Sequence, residues 1–228
     1  MSPLSMKLPC VILLAALTLM ASGCVSTKNV PLQSDRLAQL SGASVASTAR
    51  PRPDFSMFKA GNAMFGAIGG LASVSAGNDL VKQYDLKDPA PAIAEELVRH
   101  LAATFRVNPQ PGVSIPIDTQ DVAEISAAAA GKADLVLDVQ TVNWSLVYLP
   151  TKWTRYRLVY TSKLRLVDAR RKEMIAEGFF AWEPPKDAEH PTYDELLADN
   201  AAKLRAEIKI AAEHAVAAFK SGVLKPVP

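Results

Sequence analysis

Cysteine is almost absent: Cys10 and Cys24 are the only two among 228 residues. A disulfide scaffold and a multi-thiolate metal site are therefore excluded. Histidine is nearly as scarce, with three in the chain, and no two stand at metal-ligand spacing. His190 and His214 read as solvated, and His100, beside an apolar stripe, as a partly buried structural residue. Excess charge of one sign is missing too. Twenty-five Lys and Arg stand against 23 Asp and Glu, without a long run of either, so neither a nucleic-acid footprint nor a polybasic lipid-binding surface is present. Gly-x-Ser-x-Gly, phosphate-loop, dinucleotide and His-Glu-x-x-His patterns are all lacking. The carboxylate pairs Asp134/Asp138 and Glu173/Glu177 fall on strands and read as separated and wet. These absences predict a protein that is not an enzyme and holds no cofactor and no metal.

What is present begins at the N-terminus. Lys7 precedes the uncharged stretch Leu8–Met20, which ends in Ala21-Ser22-Gly23-Cys24. A basic start, a short apolar core and small residues before a cut describe a secretory signal over residues 1–23, too short to span a bilayer comfortably. The quartet resembles the lipobox of bacterial lipoproteins. That resemblance implies cleavage before Cys24, a lipid on its thiol and acylation of the new amino terminus. Val25, in place of the Asp associated with inner-membrane retention, implies the periplasmic face of the outer membrane. Residues 24–41, polar and small, read as the lipidated N-terminus and a flexible tether. Its r.m.s. span would be about 23 Å and its limit roughly 60 Å.

One domain is expected over residues 42–222, with a short tail at 223–228. Residues 43–49 form a weak strand, stopped by Arg50-Pro51-Arg52-Pro53. Asp88 and Pro89 open a helix with Ile93, Leu97, Leu101 and Phe105 on one face. Asn108–Gly112 turns the chain into a short strand at Val113–Ile117, and Asp121–Ala130 is a helix closed by Gly131. Three strands follow, Ala133–Leu149, Tyr156–Val167 and Met174–Trp182, joined by links short enough for an antiparallel meander. Thr192 and Glu195 make a capping box. It opens one long helix with the stripe Leu196, Ala201, Leu204, Ile208, Ala212, Ala215 and Phe219. The resulting class is an α+β sandwich of order βαβαβββα: a mixed sheet with the long C-terminal helix packed on one face.

Two segments stand apart. Residues 55–77 hold one charge, Lys59, and include Phe65 with the small-xxx-small pair Gly66 and Gly70. They read as a membrane-interface or self-association segment, or as a glycine-rich helix or loop covering one end of the core. The second is aromatic. Simple alternation puts Trp144 and Tyr148 on the face of Asp138 and Gln140, away from Leu137 and Val139. Trp144, Tyr148, Trp153 and Trp182 then form a candidate partner surface, unless a bulge or strand twist turns the rings under the last helix.

The element order, lipobox, tether and C-terminal helix together are similar to periplasmic lipoproteins with the fold of the curli-secretion lipoprotein and the N-terminal domain of the Tol propeller protein. Ala133–Leu137 and Pro191–Leu197 also resemble segments of uncharacterised proteobacterial lipoproteins. The resemblance implies a non-enzymatic adaptor or assembly factor in the cell envelope. It would be held to the membrane by its lipid, with a protein partner in the envelope and the option of a homo-oligomer. The alternative is a carrier holding a small hydrophobic ligand between sheet and helix.

Overall fold

Alternating apolar residues from Leu135 onward build a long central strand, and the other elements are placed against it. The computed structural model describes residues 29–61, 66–185 and 187–228. A 3-10 turn (Ser34–Arg36) and the short α1 (Leu37–Leu40) precede β1 (Ser44–Ala49) and β2 (Phe55–Phe58). Then come α2 (Gly66–Tyr84), α3 (Ala90–Phe105), β3 (Asn108–Pro116) and α4 (Val122–Ala129). The meander β4 (Leu135–Leu149), β5 (Lys152–Asp168) and β6 (Glu173–Trp182) leads into α5 (Tyr193–Gly222). The sheet runs β3-β1-β4-β5-β6, and β2 also pairs with β4. Pairs β1–β3, β1–β4 and β2–β4 are parallel and the meander is antiparallel. The chain is thus the α+β sandwich with a mixed sheet that its patterning predicts. It has one strand more than expected: segment 55–77, with its single charge Lys59, contributes β2 and the first part of α2. Strand β3 also starts earlier than expected, at Asn108. Its prolines are tolerated because β3 is an edge strand.

A bulge in β4 reverses its faces. Thr141 pairs with Ser162 and Asn143 with Thr161, so Val142 has no partner of its own. Before the bulge Leu135, Leu137 and Val139 enter the main core; after it Trp144 and Leu146 do. The expectation that Trp144 faces outward is therefore wrong. One inserted residue in a period-2 strand moves every later side chain to the opposite face. Trp144 is fully buried. Its ring packs on Phe55 at 4.9 Å, and its indole N–H donates to Pro53 O at 3.1 Å.

Helices α3 and α5 cover this face, through residues such as Ile93, Leu97, Leu101, Leu204 and Phe219. Helix α4 lies over a smaller apolar cluster on the other side, formed by Ile115, Ile117, Ile125, Val136 and Val167. The expected capping box is present, while Asp88, expected to cap α3, stands one residue before its N-cap Pro89 and accepts the Ala90 amide. Asp121 Oδ1 accepts the Ala123 and Glu124 amides, and Thr192 and Glu195 exchange the two bonds of a capping box.

Three departures from the sequence reading have local causes. Helix α5 is not one continuous rod: backbone at Ala198–Ala201 is non-helical, with φ of 51°, 57° and 59° at Asp199, Asn200 and Ala201. Left-handed backbone costs roughly 1–2 kcal/mol per ordinary residue. Arg205 bridges the break, its Nε donating to Asn200 O at 3.2 Å and its guanidinium also to Tyr84 O. Beyond the break, Ala211 rather than Ala212 joins the buried stripe.

The expected tether is the second departure. From Asn29 onward it is not free chain: Val30 exchanges two backbone bonds with Glu177, and Leu32 and Leu40 are fully buried. The expected tail is the third. Val227 and Leu32 are joined by a backbone bond, and Val223 and Leu224 are buried. The signal segment 1–23, Cys24 and Phe65 lie outside the described residues.

Helix α2 buries Gly69, Ser73 and Gly77, with Leu80 and Val81 following. A Cβ on Gly77 would stand 2.0 Å from Phe55 O, whereas one on Gly70 would meet nothing within 4 Å. The small residues of α2 that pack inward are therefore Gly69, Ser73 and Gly77. Two stability predictions follow from this packing, both read by urea unfolding. Trp144→Ala should lose roughly 3–5 kcal/mol, the range for a buried large aromatic. Gly70→Ala should gain about 0.4–1 kcal/mol, while Gly77→Ala loses about 1–3 kcal/mol because backbone must yield.

Candidate interaction surface

Of the four aromatics expected to form one surface, the structure leaves a single ring in solvent. Trp144 is core. Tyr148 and Trp182 are half-buried and pack against the core, and Trp182 stacks on His214 with ring centroids 6.0 Å apart. Trp153 is 69% exposed. It sits where β5 bulges away from β4, since Leu149 pairs with Lys152 and Tyr148 with Tyr156. Its indole N–H donates to Pro150 O at 2.7 Å, which fixes the ring at the hairpin tip.

A second apolar surface lies on α2. Ile68 and Leu71 are 77% and 74% exposed. At 100° per residue they stand opposite the buried stripe Gly69, Ser73 and Gly77. Gly66 and Gly70, expected within this segment, are exposed and half-buried respectively. Burying one face of α2 on β2 thus turns apolar side chains outward on the other.

The polar side of the meander holds a group that sequence reading misjudged. Asp138, expected to be wet, is 2% exposed. Its Oδ1 accepts from Arg50 Nε at 2.6 Å and Thr48 Oγ1 at 2.8 Å, and its Oδ2 from Arg165 Nη2 at 2.6 Å. The spare guanidinium N–H groups donate to Thr119 O and Gln120 O. Burial alone would raise the Asp138 pKa. The Arg50 hydrogen bonds and the charges of Arg50 and Arg165 outweigh it and hold the carboxyl below its ordinary value. Asp134 is tied to Ser44 N and Oγ, and Glu177 pairs with Lys163. The signal was available in the sequence: an isolated Asp inside Leu135–Val139, opposite an arginine strand, needs a cation once both faces are covered.

This cluster is structural in its geometry. Both arginines hold the one carboxylate. Among the described residues, no three His, Cys, Asp or Glu side chains gather as metal ligands. His190, expected to be solvated, is buried, its carbonyl accepting from Arg155. A cleft of about 630 Å³ opens between β1, the first part of β3 and α3. It has no nucleophile–base pair. A small cleft beside α5, lined by Tyr156 and His190, has only about 60 Å³.

Asp138→Asn should lose about 3–5 kcal/mol near neutral pH, since two buried guanidiniums lose their counter-charge. The sign of the pH effect follows from the lowered pKa. Stability from Asp138 is fully present above the unfolded carboxyl pKa, near 3.9, and is lost as pH falls through the lower folded value. Urea unfolding between pH 6 and pH 2 should therefore show the gap between wild type and Asp138→Asn narrowing below about pH 4.

No family model matches the chain and no curated protein matches it. Among solved structures it is similar to the hypothetical protein CT253 from Chlamydia trachomatis, with 10% identity over 79% of this chain and 97% of that one and a TM-score of 0.39. It is similar to lipoprotein GNA1162 from Neisseria meningitidis, with 12% identity, coverage of 77% and 98%, and a TM-score of 0.28. A third is the PelC dodecamer from Paraburkholderia phytofirmans, with 11% identity, coverage of 81% and 91%, and a TM-score of 0.31. At these identities and TM-scores the likeness establishes neither a family nor a function for this chain.

Proposed function

We propose that this protein is a non-enzymatic adaptor of the cell envelope, held by a lipid on Cys24 at the periplasmic face of the outer membrane. The observation that carries the reading is the quartet Ala21-Ser22-Gly23-Cys24, followed so soon by ordered chain. Val30 is paired with Glu177 on β6, so the link from Cys24 reaches at most about 20 Å. A domain anchored this closely works at the membrane surface. Each buried acyl CH₂ contributes about 0.8 kcal/mol and stable anchoring takes two chains, fewer than a triacylated cysteine carries.

The packing favours an adaptor over a carrier. Between the sheet and α3 and α5 the side chains interlock, with Trp144, Leu146, Leu164, Leu204 and Phe219 at most 1% exposed. A lipid tail would need that volume. Exposed apolar side chains on α2 and at the hairpin tip instead offer area to something outside the chain.

Fractionation of cells tests the anchor. Cys24→Ala should abolish lipidation and processing and remove the mature form from the outer-membrane fraction. Val25→Asp should shift the lipidated protein toward the inner membrane. Mature Cys24→Ala protein in the outer-membrane fraction would refute the reading.

A further inference from the structure

Five large apolar side chains are conspicuously exposed among the described residues: Phe58, Ile68, Leu71, Trp153 and Ile210. Phe58 and Trp153 share one end of the sheet. Phe58 pairs with Val147, and the β4–β5 turn that carries Trp153 begins two residues beyond Leu149's neighbour Tyr148 in the same direction. At strand spacings of about 4.8 Å across and 3.4 Å along, the two backbones are on the order of 12 Å apart. Eight residues after Phe58 the chain enters α2, whose first turns carry Ile68 and Leu71 away from the core.

We propose that Trp153 and the outer face of α2 at Ile68 and Leu71 form a seat for the lipid surface, inserting to headgroup depth at the hairpin end of the sheet. The proposal rests on the lipid-anchored reading. Two observations select a bilayer over a protein. No charged residue occurs from Ala60 to Asn78, while Lys59 and Lys152 flank the apolar groups. Tryptophan bordered by lysine suits a boundary with apolar chains on one side and water on the other. Asn29 is held at the Phe179 amide, level with Gln140 of β4, so the start of the described chain lies on the order of 30 Å along the sheet from Trp153. A second copy is the weaker occupant. Of the small residues that would let two α2 helices approach closely, Gly69, Ser73 and Gly77 are turned inward, which leaves Gly66 and Gly70 as the open glycines.

The full lipidated protein, reconstituted in phosphatidylethanolamine–phosphatidylglycerol vesicles with brominated acyl chains, tests this by tryptophan quenching. Trp144 is buried and Trp182 stacks on His214, so Trp153 should supply the lipid-dependent signal. Bromination should dim wild type by about a third, one tryptophan in three, and leave Trp153→Phe unchanged. Ile68→Glu with Leu71→Glu should still float with the vesicles yet lose at least half of the quenching. Wild type that floats without quenching would overturn the seat. So would concentration-dependent crosslinking between α2 surfaces in place of quenching. Failure of wild type to float would refute the anchor instead. Brominated vesicles added in excess to Cys24→Ala would then decide the seat alone, by quenching of Trp153 or its absence.

Discussion

Strand β4 has two parallel neighbours along one edge, β1 beside Leu135–Leu137 and β2 beside Trp144–Val147, and the bulge at Val142 lies between them. The extra residue changes which side chains face the helices just where the neighbour changes. Thr141, at the bulge, donates its hydroxyl to Asp88 at the start of α3 and contacts the Tyr160 hydroxyl. The irregularity is therefore tied to a helix start and to the next strand. With it, Trp144 fills the core against Phe55, and β2 gains a partner. Without it, Trp144 and Leu146 would be turned out of the core and β2 would lose the wall on which α2 rests.

The consequences run outward from there. A backbone approach as close as Gly77 to Phe55 presses the small-residue stripe of α2 onto β2. The apolar residues between those small ones are left on the far side. The exposed Ile68 and Leu71 are thus a product of the packing, as is the position of Trp153 on a bulge of its own. On the reverse face, Arg50 and Arg165 grip Asp138 and join β1's exit to the meander. Replacing Asp138 would leave both guanidiniums without a counter-charge, whereas replacing either arginine leaves Asp138 paired with the other.

The two ends of the described chain are tied to each other: Leu32 and Ser34 bond to Val223 and Val227, and Val30 pairs with β6 at Glu177, covering its free edge there. Edge strands invite unwanted pairing, and this one is covered by the chain's own termini. The same contacts remove most of the reach that residues 24–41 would have as free chain. A lipid on Cys24 would hold the domain against the bilayer, with the apolar α2 face and Trp153 within its range of orientations.

What the sequence by itself determined is local. Thr192 with Glu195, Asp121 before its helix and Gly131 after it place helix limits, because caps act through neighbouring amides. The alternation in Tyr156–Leu166 defines a strand and its buried face for the same reason, and the meander follows from the short links. Tertiary structure decided the rest. Alternation carried through Val142 assigns Trp144 to the wrong face, since nothing local marks a residue that is skipped in pairing. The burial of Asp138 depends on Arg50 and Arg165 arriving from distant strands. The short strand Phe55–Phe58 exists because β4 offers an edge to it, and Leu32 is buried because the C-terminal segment returns beside it.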